Sequence, residues 1–252
     1  MSVGGVASLP MYPFVQLTDD WQELWSAVHR RVPGSRADLA WADDVRQLWC
    51  DPDLAVTQTC GWPLVTDFAG HLRAIGAFDP RLPGAADARY RSVVIARRQA
   101  PIETFKRGIA AVNSSDSLTG WISLSTAVLG RATAWEGETI STGAHVQSID
   151  AVRRGLADIA SIDPVTLALT RDLEPDRLDG LSVIGSGPRV PCLPIVVPWS
   201  TPDEIVEMWR TAFAEACEDP RTDRARRNLR IRRFVPLDDD DYADLLMLAG
   251  PA

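Results

Sequence analysis

The sequence predicts an α/β protein with mainly parallel strands, arranged as two βα-rich blocks. Three observations carry this. Short β-branched or apolar runs alternate with amphipathic stretches from end to end. The 252 residues are 46% hydrophobic against 24% charged, the composition of a folded chain large enough for one big domain or two ordinary ones. Lastly, the alternation restarts in mid-chain, with no short internal repeat to explain it.

In order, the first strand runs over 6–11, and Thr18 and Asp19 offer N-caps to a helix that buries Trp21, Leu24, Trp25 and Val28, spaced i, i+3, i+4 and i+7. A second strand, 54–57, enters the turn Gln58-Thr59-Cys60-Gly61. A third covers 73–78 before a Pro/Gly-rich loop, and a fourth covers 91–97. The second block opens with a strand at 109–113 and a helix beginning at Ser115-Asp116-Ser117. It continues with a strand at 139–142, a helix from His145 to about Arg154, a strand at 157–162 and a helix near Asp163-Pro164. Strands at 181–184 and 193–197 flank Gly185-Ser186-Gly187-Pro188, read as a turn crossing between the blocks because Val190 stands where a dinucleotide fingerprint needs its third glycine. A long helix then starts near Ser200, with Ile205, Met208, Trp209 and Ala212 inward.

Composition excludes several functions. Twenty-six basic against 34 acidic residues leave a net charge of −8, which repels nucleic acid and acidic membranes as partners. The seven arginines of 221–233 lack interleaved aromatics and lie beside the acidic run 238–241, so they read as a solvated, internally paired helix and turn. Lys106 is the one lysine, and no P-loop, HExxH or Ser-x-x-Lys motif is present. The four cysteines, Cys50, Cys60, Cys192 and Cys217, have no metal or disulfide spacing, so reduced thiols, no metal and no cofactor are expected. The first residues, MSVGGVASLPMYPF, lack the basic and apolar regions of an export signal, and no stretch is long and apolar enough to span a bilayer. As written, the chain is expected in the cytoplasm; a start further upstream would make it periplasmic.

Parallel sheets collect ligands at the carboxyl ends of strands, where helix N-termini present free N–H groups. The residues at those places are Tyr12, the turn Thr59-Cys60, Tyr90 and Arg91, the run 113–120 with Ser115, Ser117 and Thr119, then His145 and Asp163. Nearly all are small, hydroxylic or hydrogen-bonding. Ser115, Asp116 and Ser117 taken alone are ordinary N-caps, Tyr12 and Tyr90 alone are ordinary packing, and Cys60 alone is a small buried residue in a tight turn. Trp62 and Trp121, beside two of these turns, are the tryptophans placed to face a ligand.

Five segments taken in order resemble the phosphonate/phosphite-type solute-binding proteins of ABC transporters, of the type II periplasmic-binding fold. They are LAVTQTCGWPL (54–64), YRSVVIAR (90–97), GIAAVNSSDSLTGW (108–121), STGAHVQSIDAVRRGLADIASIDPVTLAL (141–169) and VPCLPIVVP (190–198). The resemblance implies a discontinuous first lobe, 1–96 with 196–252, and a second lobe, 97–195. It further implies a cleft between them that binds a small polar, anionic ligand by hinge closure and without chemistry, with an ABC permease as partner if the chain is exported. Tyr12, Thr59, Cys60, Tyr90, Arg91, Ser115, Ser117, Thr119, His145 and Asp163 would contact the ligand. A helix start of the form Ser-x-Thr-Gly suits an oxyanion, because it adds two hydroxyls to backbone N–H groups and the positive end of the helix dipole. Leu118 occupies the place between the two hydroxyls where relatives carry a small or hydroxylic residue. Two alternatives stand beside this reading. One is an enzyme of the same fold, like those of the menaquinone pathway, using His145, Asp163 or Cys60 on a small carboxylate. The other is a ligand-sensing regulatory domain.

Overall fold

A computed structural model describes residues 3–249, and the chain divides into two compact units. The first comprises Met1–Ala88 with Pro191–Ala243, and the second Arg89–Val190 with the tail from Asp244.

The chain starts in the first unit with β1 (Val6–Ala7), α1 (Thr18–His29), α2 (Val45–Trp49), β2 (Leu54–Gln58), α3 (Gly61–Val65) and β3 (Leu72–Pro80). The second unit follows with β4 (Arg89–Ala96), β5 (Ala110–Val112), α4 (Ser123–Leu129), β6 (Thr139–Ser141), α5 (His145–Arg153), β7 (Ile159–Ile162), α6 (Pro164–Leu173) and β8 (Ser182–Pro191). The return to the first unit adds β9 (Pro194–Pro198), α7 (Asp203–Glu218), α8 (Asp223–Asn228), β10 (Ile231–Val235) and α9 (Asp240–Ala243).

In the first unit the sheet order is β1-β2-β9-β3-β10. β1 and β2 pair in parallel, whereas β9 runs antiparallel to both β2 and β3, and β10 antiparallel to β3. β2 and β9 are buried at every position, as strands covered on both faces must be. The four apolar positions expected of α1 are buried as its spacing predicts, and Trp25 stacks on Trp209 of α7 with centroids 5.9 Å apart. Phe213, Phe234 and Phe78 extend this aromatic core. Thr18 does not cap α1: its hydroxyl donates to the Val15 carbonyl, and Leu17 holds the cap position. In α7 the buried stripe is Val206, Trp209, Ala212, Phe213, Ala216 and Cys217, while Ile205 and Met208 are half-buried. The stripe is turned from its expected position because Phe213 and Cys217 extend it along the 3.6-residue period.

The arginine-rich run is not wholly solvated helix and turn, because Ile231 and Phe234 provide a buried face and the segment adds β10 to the sheet edge. Its arginines pair with distant acids: Arg224 with Asp20 at 2.8 Å and with Glu23, and Arg233 with the fully buried Asp79 at 3.3 Å.

In the second unit the order is β6-β5-β7-β4-β8. β5 lies in parallel between β6 and β7, and β4 runs antiparallel to β7 with Val93 opposite Ile162 and Ala96 opposite Ile159. That pairing assigns β4 to this unit, although 91–96 was expected to close the first lobe. Period-two alternation sorts the side chains to two faces. Val94, Ala96, Ala110, Val112 and Ile159 pack with Leu124 and Val128 of α4 on one face. Ile95, Ala111, Ala160 and Ile162 pack with Ile149 and Val152 of α5 and Leu167 of α6 on the other.

Residues 185–188 are not a turn: they continue β8 as a single strand. β8 is an edge strand, where a proline is tolerated because no ladder donor is lost inside the sheet. Gly187 is needed for contact, since a Cβ there would lie 2.3 Å from Ser92 Oγ and 2.8 Å from Ser123 Cβ.

Candidate functional site

The parallel strands β5, β6 and β7 end at one edge of the second unit, and the helix starts that follow them lie at that edge. After β5, Ser117 takes an extended backbone (φ −77°, ψ 124°) and its Oγ accepts the Gly120 N–H at 3.0 Å, a side-chain N-cap. Residues Leu118–Ile122 then wind as a single π-helical turn, with the Ile122 N–H bonded to the Ser117 carbonyl at 3.0 Å, before continuing into α4. Such wide turns inside helices recur at functional sites. Leu118, between the two hydroxyl residues, is buried and belongs to the core. Gly120 allows the close approach of Asn113: a Cβ there would lie 1.9 Å from Asn113 Oδ1 and 3.0 Å from Ser117 Oγ.

The Thr119 hydroxyl is bonded to His145 Nε2 at 3.0 Å, which joins the start of the helix after β5 to the start of α5. Behind them, Ser161 of β7 lies 2.6 Å from the Thr119 carbonyl and 2.8 Å from Ser92 Oγ of β4. Ser161 has one proton and a carbonyl can only accept, so that proton goes to Thr119 and the Ser92 hydroxyl donates to Ser161. The chain Ser92–Ser161–Thr119–His145 thus links β4 and β7 to the helix starts that follow β5 and β6. His145 keeps part of its surface accessible, yet burial pushes its imidazole down to about 4, opposed in part by the Ser161 carbonyl. The ring is neutral at neutral pH. His145 Nδ1 is buried and makes no hydrogen bond of good geometry, and the same holds for Asn113 Oδ1 and Ser123 Oγ. Buried polar atoms of this kind are costly unless something else satisfies them.

Asp163 behaves as an N-cap: its Oδ1 accepts from the Val165 and Thr166 N–H groups at 2.8 and 3.0 Å, and Pro164 fills the first position of α6. Tyr90 is buried, and Arg91 is exposed with its Nη1 donating to the Gly187 carbonyl at 2.9 Å. Ser115 is exposed. Of the predicted site residues, the structure therefore joins Thr119 directly to His145, with Ser117 in the same helix start. Tyr12, Thr59 and Cys60 belong to the first unit, where all three are buried. Thr59 follows β2 with its N–H donating to the Pro194 carbonyl, and Cys60 is the N-cap of α3 without a side-chain capping bond. Trp121, expected to face a ligand, packs against the core beneath β4 and β5; Trp62 is half-buried. Ser161 and Ser123 were not predicted, whereas Asn113 lies in the strand-end run 113–120. The signal for Ser161 was a lone serine inside an apolar strand, a position that costs stability unless it is hydrogen-bonded.

An α/β protein of two mixed sheets, with hydroxyls and a neutral imidazole gathered where parallel strands meet helix starts, is built as a solute-binding protein. Residues 52–242 match the family described as the periplasmic substrate-binding protein of phosphonate ABC transporters, and the chain belongs to that family. Solved structures share the fold. A binding-protein component of an ABC phosphonate transporter from Pseudomonas aeruginosa aligns with a TM-score of 0.78 at 16% identity, over 96% of this chain and 84% of its own. PhnD1 from Prochlorococcus marinus, solved with methylphosphonate, aligns with a TM-score of 0.79 at 12% identity, over 98% and 97%. A protein from Xanthomonas citri, solved with chloride, aligns with a TM-score of 0.72 at 16% identity, over 99% and 97%. No curated protein matches the chain by sequence. Among the described residues no helix is long and apolar enough to cross a membrane.

Proposed function

We propose that the chain reversibly binds a small phosphonate-like oxyanion at the strand ends of its second unit and releases it unchanged, as the receptor of an ABC permease. The observation that supports this reading best is the helix start at Ser117 and Thr119, in a unit that also holds two buried polar atoms without partners, Asn113 Oδ1 and Ser123 Oγ. A ligand bearing both acceptor oxygens and a hydroxyl would satisfy such a set. The positive dipole end of the helix start adds to the hydroxyl donors in favouring an anion. Ser115, Tyr90, Arg91 and Asp163 complete the proposed contacts within this unit. The methylphosphonate held by the Prochlorococcus protein is the first probe to use.

The test is a thermal-shift screen with methylphosphonate, inorganic phosphate, sulfate and acetate. A ligand present at about 100 times its Kd adds about 2.7 kcal/mol, which for a chain of this size raises the melting temperature by roughly 5–10 °C. The proposal expects that rise with methylphosphonate, its absence with Ser117→Ala combined with Thr119→Val, and recovery of the ligand chemically intact after long incubation. A shift with acetate alone, or turnover of the ligand, refutes it.

A further inference from the structure

The opposite edge of the second sheet carries a separate cavity of about 390 Å³, lined by Arg97, Arg98, Thr104, Phe105, Gly108 and Asp158. It opens where β4 ends and where β5 and β7 begin. The hydroxyl cluster described above lies where β5 and β7 end. At about 3.3 Å per residue, these strands of three and four residues hold the two places on the order of 10 Å apart.

Two features set the cavity apart from ordinary basic surface. Arg97 and Arg98 make no ion pair or hydrogen bond among the described residues, whereas the neighbouring Lys106 and Arg107 both pair with Glu136. Both arginines are exposed, yet each guanidinium has a packing partner. That of Arg98 lies over the Phe105 ring, 4.9 Å from its centroid. That of Arg97 packs on Gly155, where a Cβ would lie 3.0 Å from its Cζ and where the backbone has φ +75°. Asp158 is in the cavity and does not neutralise them: it lies beyond ion-pair distance of either arginine, and its Oδ2 accepts the Ile109 N–H at 2.8 Å. The Thr104 hydroxyl donates to the Pro101 carbonyl at 2.7 Å, which leaves its lone pairs as acceptors.

We infer that this cavity is a second binding site, for a small oxyanion that carries a hydroxyl, its negative group on Arg97 and Arg98 and its hydroxyl on Asp158 or Thr104. Planar guanidinium forks match the geometry of carboxylate and phosphate oxygens. The volume falls at the small end of the roughly 300–1,000 Å³ of small-molecule sites. The site is independent of the proposed function of the strand-end cluster, because it shares none of its residues.

The test follows the arginine side-chain Nε–H signals by NMR as inorganic phosphate, and separately malate, is added. It is run on the wild-type protein and on the Ser117→Ala/Thr119→Val variant, which disables the strand-end cluster. The inference expects the Arg97 and Arg98 signals to shift saturably in both proteins. Arg97→Gln/Arg98→Gln should lose this second binding event, and Arg98→Lys should weaken it about tenfold, while binding of methylphosphonate stays within twofold of wild type. A larger response to phosphate than to malate identifies a phosphate-bearing ligand, and the reverse a hydroxycarboxylate. Linear, non-saturating shifts at millimolar anion, or saturable shifts that vanish in the strand-end variant, overturn it. Unchanged far-UV circular dichroism of each variant separates loss of the site from loss of the fold.

Discussion

Thr119→Val removes one hydroxyl at almost constant volume, from a side chain that is 2% exposed. Two consequences follow from the contacts. The hydroxyl's bond to His145 Nε2 is lost, leaving that nitrogen buried and without its partner at a cost of about 1–3 kcal/mol of folding stability. For a domain of this size that lowers the melting temperature by roughly 2–10 °C. If the same hydroxyl also donates to an anionic ligand, a charge-assisted bond worth about 1.5–3 kcal/mol disappears from binding, which weakens Kd by about tenfold to a hundredfold. Isothermal titration with methylphosphonate at neutral pH measures the second quantity, and urea denaturation the first. Thr119→Ser separates them further, since it keeps the hydroxyl and is expected to bind within about threefold of wild type. A folded Thr119→Val protein that binds methylphosphonate as well as wild type would show that this hydroxyl does not touch the ligand, and the reasoning from the helix start would fail.

Three further outcomes are expected. Because His145 is held near 4 in the folded chain against 6.5 in the unfolded one, the unfolded state binds the extra proton between these values. Stability from this group is therefore full above about pH 6.5 and is lost as pH falls towards 4, by about 3 kcal/mol at most. The difference between wild type and His145→Gln in urea titrations at pH 7.5 and pH 5 should shrink accordingly, and equal differences at both pH values would contradict the assignment. Trp209→Ala, at a 1% exposed position stacked on Trp25, should cost about 3–5 kcal/mol, read as a lower urea midpoint for the first unit; a loss below about 1 kcal/mol would contradict the described core. Gly187→Ala forces a methyl against Ser92 and Ser123 and should cost about 1–3 kcal/mol; a neutral effect would mean that β8 does not pack there as described.

Much of the fold was legible where its physics is local. Pro164 after Asp163 marks a helix start, and Asp163 caps α6 as that pattern requires. Ser117 likewise caps its own turn, and the apolar spacing of α1 fixes its buried face. Three features were hidden because each depends on a partner distant in sequence. The 185–188 segment has the composition of a turn, yet it is drawn into a strand because Gly187 fits against Ser92 and Ser123, 95 and 64 positions earlier. The arginine-rich segment has the composition of solvated surface, yet Ile231 and Phe234 add it to β3, and Asp79 supplies buried charge that no local pattern shows. Within the site, Thr119 and His145 were each readable as helix-start residues, but their hydrogen bond was not. Nor was the chain through Ser161 and Ser92, since a lone serine in an apolar strand carries no sign of what it bonds. The antiparallel course of β4 and β9 was equally hidden. It is set where the chain passes from one unit to the other, and not by strand composition.

The account rests on the oxyanion being held by the helix start after β5, and a crystal structure with methylphosphonate tests this most directly. The expected result is a phosphonate whose oxygens lie within hydrogen-bond distance of Ser117 Oγ and Thr119 Oγ1, with Asn113 finding a partner in the ligand. A phosphonate bound elsewhere, with Thr119 still bonded only to His145 and no ligand atom near Ser117, would contradict it.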